Sequence, residues 1–223
     1  MTDSYAGFID VGFLHAEGAR KIRKKRTAVR LQAAEVVRWL RFLARTPFVD
    51  GSFLRAYWYD AAFGPEHPRY RDQRKFLDAI AHTPGIQLRL GHLAEHPSRL
   101  EKPIRQALAS TADRLGVEPD RLTTEFDRHW TFRPERRQKG VDTLIALDMV
   151  RLAGRSVFST AVLIAGDRDL AEVVRTTQDF GVRTLVATPD EDSLSNELAQ
   201  LADDVIVMNE DFLERMMADR ASS

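Results

Sequence analysis

The chain contains no cysteine, which excludes a disulfide framework, a thiolate metal site and a thiol nucleophile. No apolar run approaches the length needed to cross a bilayer. The opening MTDSYAGFIDVGFL lacks the basic leader and long apolar stretch of a signal peptide. A soluble, cytoplasmic protein with no membrane partner is therefore expected. Neither the P-loop nor the dinucleotide-binding glycine motif is present, and no serine nucleophile elbow occurs. HLAEH at 92–96 fits the inverted zinc-protease pattern, but that chemistry needs a continuous helix. Pro97 and the strand-like run before His92 argue against one. His15, His67, His82 and His129 show no ligand spacing.

Net charge is also missing, because 33 Lys and Arg balance 33 Asp and Glu. The balance hides an asymmetry. Residues 1–139 carry 26 basic against 17 acidic side chains, and residues 140–223 carry 7 against 16. Such a split suits a basic surface for a polyanion beside an acidic centre. At 223 residues and 43% hydrophobic, the chain can fill a substantial core.

Hydrophobic periodicity predicts strands over 5–11, 53–60, 86–93, 160–166, 182–187 and 204–208. Helices are predicted over 27–45 with Thr27 as N-cap, and over 69–82, 99–115, 141–153, 169–180, 193–202 and 210–218. Residues 94–138 are less regular, and TTEFDRHWTFRPERRQKG has no clear period, as in a long functional loop or small subdomain. Alternating strands and helices with near-continuous apolar strands imply an α/β fold, a mainly parallel sheet covered on both faces. One domain over 1–223 is expected, with an insertion at about 94–138.

In such sheets ligands bind beyond the carboxyl ends of the strands. Asp10 ends the first strand, Asp167 follows TAVLIAG, Asp169 starts the next helix and Asp142 heads another. If the first strand neighbours LIAG, these acids converge. Asp142 and Asp169 also suit helix N-caps. Asp10 and Asp167 are harder to explain that way, because an acid at the end of a buried run is costly unless satisfied. Clustered carboxylates without Cys or paired His favour a hard cation such as Mg²⁺ or Mn²⁺. Asp148, six residues after Asp142, is read as a solvated or capping residue, with an outer role at the site as the alternative.

FIDVGFL, QKGVDTLIALDMVRLA and LIAGDRDLAEVVRTTQDFGVRTLVA together resemble the NYN domain family of PIN-like ribonucleases. NELAQLADDVIVM is similar to that family's closing helix and strand. The resemblance implies a Rossmann-like PIN fold, a Mg²⁺ or Mn²⁺ site and hydrolysis of RNA phosphodiesters. It places the acidic site residues on Asp10, Asp142, Asp167 and Asp169, with Asp10, Asp142 and Asp167 as metal ligands. Phe13 stands where the family's first motif carries Asn.

RKIRKKR holds Arg20, Lys21, Arg23, Lys24, Lys25 and Arg26, a run expected to take RNA phosphates. Arg136, Arg137 and Lys139, just before Asp142, are expected to touch the same strand, with Trp130 and Phe132 as weaker base-stacking candidates. The partner expected is single-stranded RNA. A homo-oligomer through an exposed FLERMM helix is a further possibility. Two rivals stand beside this reading: a catalytically weak or inactive module of the same fold binding RNA or protein, and a metal-dependent phosphatase that shares the acid cluster but does not need RKIRKKR.

Overall fold

The computed structural model of the chain describes residues 3–132 and 134–219; the side chains of Arg136 and Arg137 lie outside the described set. The chain forms two compact units, Met1–His92 with Gly140–Ser223, and Leu93–Lys139.

The first unit is built on parallel strands. β1 (Ser4–Asp10) is flanked by β3 (Ser52–Ala62) and β6 (Thr160–Ile164). β4 (Ile86–His96) lies outside β3, and β7 (Arg183–Thr188) and β8 (Asp204–Val207) continue beyond β6. The chain thus winds one way from β1 to β4 and the other way from β6 to β8. The crevice between β1 and β6, at their carboxyl ends, is where such a sheet binds ligands.

Period-two alternation decides which side chains face which layer. On one face Tyr5, Ile9, Trp58, Val162 and Ile164 are buried against α2 (Ala33–Leu43) and α9 (Glu210–Met216). Tyr5 donates its hydroxyl proton to the Leu40 carbonyl at 2.7 Å. Gly7 leaves room for Leu40, whose Cδ1 would lie 2.7 Å from an added Cβ. On the other face Phe8 stacks on Tyr57 and meets Phe158 edge-on, beneath α6 (Val141–Ala153). Each buried ring removes 150–250 Å² from water, a gross gain of about 4–6 kcal/mol.

Most predicted elements occur within two residues of their expected bounds, including α3 (Tyr70–Ala81) and α7 (Ala171–Asp179). Three differ. α1 (Val11–Lys21) follows β1 directly, where only a basic stretch was read. The helix predicted from Thr27 begins at Ala33, because β2 (Val29–Leu31) precedes it and pairs with β9 (Met217–Asp219). That pairing also ends the last helix early and corrects the expected exposed FLERMM face: Leu213, Met216 and Met217 are core residues.

In the second unit, β4 runs to His96, so HLAEH lies on a strand. α4 (Glu101–Leu115) ends at Gly116 with φ +63°, the left-handed closure that glycine tolerates. Pro119 opens α5 (Pro119–His129), and β5 (Glu135–Lys139) follows beside β4. α5 has no buried residue. Arg105 of α4 holds Asp127 of α5 at 3.3 Å. Phe126 gathers Trp130 and Phe132 around it; these two rings pack rather than stand alone.

Candidate functional site

β1 and β6 are neighbours, with Ile9 opposite Ile164. Asp10 therefore ends its strand beside the Ala165–Gly166–Asp167 turn. Asp10 is the N-cap of α1, accepting from the Phe13 amide at 3.0 Å. Asp167 accepts from the Asp169 amide at 3.1 Å, capping the short turn Arg168–Leu170. Asp142 sits in the first turn of α6, whose N-cap is Gly140. The expected roles are thus exchanged: Asp10 and Asp167 cap, and Asp142 and Asp169 make no cap bond. Each capping carboxylate is thus oriented by backbone amides, Asp10 by those of Phe13 and Gly12 and Asp167 by that of Asp169.

The electrostatics join these acids into one group. Burial pushes the Asp10 pKa up to about 6, and Asp142 adds to the rise. Asp142 is raised in turn by partial burial, then by Asp167 and Asp169. Asp60, at the carboxyl end of β3, is also pushed up to about 6 by burial, with Asp10 contributing. Its carboxylate accepts from the Ala61 amide at 2.7 Å. Asp60 belongs beside the four predicted acids, since Asp10 pairs with Tyr59 in register. FLRAYWYD ends in an acid just as YAGFID does, so the same local signal marks Asp60.

The family model described as "NYN domain" matches residues 8–209. The chain belongs to the NYN domain family. NYN domains are nuclease-like and related to nucleic acids as a family. A crystal structure of a protein of unknown function, VPA0982 from Vibrio parahaemolyticus, is similar to the NYN chain in fold. It has a TM-score of 0.51 and 15% identity, with 97% of each chain covered. The uncharacterized protein y4oD of Sinorhizobium fredii is 42% identical over 69 residues. That stretch is 30% of this chain and only 32% of the relative.

Phe13 packs over Gly166, where an added methyl group would clash with its ring and with the Ser193 carbonyl. Asp148 departs from its reading. It is buried rather than solvated, taking Arg89 Nε at 2.8 Å, Arg151 at 2.7 Å and the Tyr59 hydroxyl at 3.2 Å. Its cations are spent on it alone, and none of the five site acids has an ion-pair partner among the described residues.

The basic run divides. Arg20 pairs with Glu17 at 2.7 Å and Asp190 at 3.3 Å, Lys21 lies 3.6 Å from Asp190, and Lys24 holds Asp219 at 3.0 Å. Arg23, Lys25 and Arg26 are exposed. Arg26 is the cation whose field lowers the pKa of both Asp10 and Asp60. Lys139 ends β5, exposed, in the second unit.

Carboxylate oxygens alone, crowded and unneutralised, suit a hard divalent cation by donor chemistry. Among the described residues no three such side chains form a ready ligand set. Among these residues too, no helix is long and apolar enough to cross a membrane.

A carboxyl whose folded pKa exceeds its unfolded value binds more protons when folded. It therefore favours folding at low pH, and that contribution is lost as pH rises through the folded pKa. For Asp60 the window runs from 3.8 to about 6. The metal-free Asp60→Asn variant should match wild type near pH 4 and be more stable above pH 6.5, by about 2–3 kcal/mol. Urea unfolding at several pH values measures the gap; a constant gap would contradict the burial of this charge.

Proposed function

We propose that this NYN domain is a metal-dependent ribonuclease that hydrolyses phosphodiester bonds of single-stranded RNA. The observation that supports it is the gathering of Asp10, Asp142, Asp167 and Asp169 at the β1–β6 crevice without paired cations. Asp10, Asp142 and Asp167 would hold Mg²⁺ or Mn²⁺, with Asp169 as a further ligand or an acceptor behind them. A bound ion of this kind lowers the pKa of its water and neutralises charge on the reacting phosphoryl group. The chain's own part is orientation: the Phe13 and Gly12 amides hold the Asp10 carboxylate and the Asp169 amide holds that of Asp167.

The basic run would bring in the polyanion. Arg23, Lys25 and Arg26 are exposed for phosphates. The ion pairs of Arg20, Lys21 and Lys24 lie at the surface, where such pairs are weak, so RNA phosphates can displace their partners. Arg136, Arg137 and Lys139 are assigned to the same strand by their place before Asp142. One observation favours a second reading, a module that binds RNA with little or no cleavage: Phe13 puts an apolar ring where the family carries Asn.

Wild type and an Arg23→Ala, Lys25→Ala, Arg26→Ala variant should be incubated with 5′-labelled single-stranded RNA and Mn²⁺, with and without EDTA. Cleavage stopped by EDTA is expected. The triple variant should bind RNA on the order of tenfold more weakly, with a shallower salt dependence. RNA binding without cleavage would select the module reading. Hydrolysis confined to p-nitrophenyl phosphate, and unaffected in the triple variant, would select a phosphatase.

A further inference from the structure

A cavity of about 480 Å³ opens beside Asp167, walled by Phe13, Glu17 and Arg20 from α1 and by Gly166, Asp192 and Ser193. The three α1 residues follow at spacings of four and three, so they share one helix face. The polar groups are not equally free. Glu17 and Arg20 hold each other at 2.7 Å, and the Ser193 hydroxyl donates to the Asp190 carbonyl at 2.7 Å. Asp192, in the short turn Glu191–Ser193, makes no hydrogen bond or ion pair among the described residues. The cavity thus offers an aromatic ring and a carboxylate that makes no hydrogen bond among the described residues and feels the field of Arg20, next to an acid of the site.

That combination narrows the ligand. A phosphate is disfavoured by the carboxylates of Glu17, Asp167 and Asp192. A planar heterocycle with N–H donors is favoured, stacking on the ring and donating to the acid. Among RNA bases only guanine offers two adjacent donors, N1–H and the exocyclic amine, to match both oxygens of one carboxylate. Uracil flanks its one N–H with carbonyls that a carboxylate repels.

We propose that this cavity seats a guanine base adjoining the scissile phosphate, stacked on Phe13 and read by Asp192. The position of the scissile bond rests on the ribonuclease reading; binding of the base does not. The departure at Phe13 then sets specificity.

Two measurements separate the claims: mapping cleavage of a mixed-sequence RNA with Mn²⁺, and titrating guanosine or uridine into the protein in EDTA, followed by NMR. Asp192→Asn removes the carboxylate. Phe13→Leu keeps an apolar group on Gly166 and removes the stacking plane. Cleavage next to G about tenfold faster than elsewhere is expected, with both variants near parity. Guanosine should bind more tightly than uridine in wild type only. Cleavage without a base bias, or with one that both variants retain, overturns the guanine site and leaves the nuclease intact. Guanosine binding that Asp192→Asn abolishes, with no RNA cleaved, keeps the site and overturns the nuclease. Neither cleavage nor nucleoside binding overturns both.

Discussion

Asp10→Asn should reduce RNA cleavage by on the order of 10³-fold while making the metal-free protein more stable. The two effects have one cause. Asp10 is held at the end of a buried strand, with its pKa pushed up to about 6 by burial and by Asp142. Keeping it ionised at neutral pH costs about 3 kcal/mol of folding free energy. Asn removes that charge and still accepts from the Phe13 amide, since Asn and Asp cap helices equally well. The chemistry loses more than it keeps: a cation contributes several kcal/mol to phosphoryl transfer, and about 4 kcal/mol is a thousandfold. Initial rates on labelled RNA with Mn²⁺ and urea unfolding in EDTA at pH 7.5 measure the two effects. Lower activity with lower stability would make Asp10 a structural cap only. Activity within tenfold of wild type would remove it from the reaction.

Divalent ions should show the same opposition from the other side. An ion that binds only the folded chain stabilises it in proportion to the logarithm of its concentration. That gain should shrink in the Asp10→Asn variant, because one ligand is gone.

The parts of this site written in local sequence were legible, and the parts made by distant contacts were not. Asp10, Asp142, Asp167 and Asp169 stand out because each follows a strand or opens a helix, and the adjacency of β1 and β6 then brings them together. Asp60 lies inside β3, which runs on to Ala62, so the aromatic alternation of FLRAYWYD presents it as a strand residue rather than as an acid beyond a strand. β2 was read as helix because Val29 lies in a helical apolar spacing. Only the partner at 217–219, far along the chain, makes it a strand. α1 buries Leu14, Gly18 and Ala19 but ends in a basic run, so its apolar period is short and its charge dominates the reading. Asp148 is the clearest case, since two of its three partners, Tyr59 and Arg89, come from strands far from α6 in sequence.

Asp148→Ala should destabilise the protein by about 3 kcal/mol, the largest stability loss expected here, and lower the melting temperature by about 6–12 °C. Asp148 is 6% exposed and takes three donors. The donors left behind differ in what they can recover. Arg151, half exposed, turns to water; Arg89 is 30% exposed and recovers in part. Tyr59 is fully buried, and its hydroxyl, held protonated by burial and by Asp148, has no other acceptor among the described residues. The cost is therefore that of stranded donors, not of a lost attraction. Asp148→Leu combined with Tyr59→Phe, which removes the stranded hydroxyl, should for that reason recover much of the loss. The network also anchors α6 to β3, the two elements that carry Asp142 and Asp60. At 100° per residue, six positions rotate Asp148 well away from Asp142: one acid grips the sheet while the other faces the crevice rim. Urea unfolding of the single and double variants measures the balance. A loss below about 1 kcal/mol, or no recovery in the double variant, would mean that water already reaches Tyr59 and that packing alone holds α6 in place.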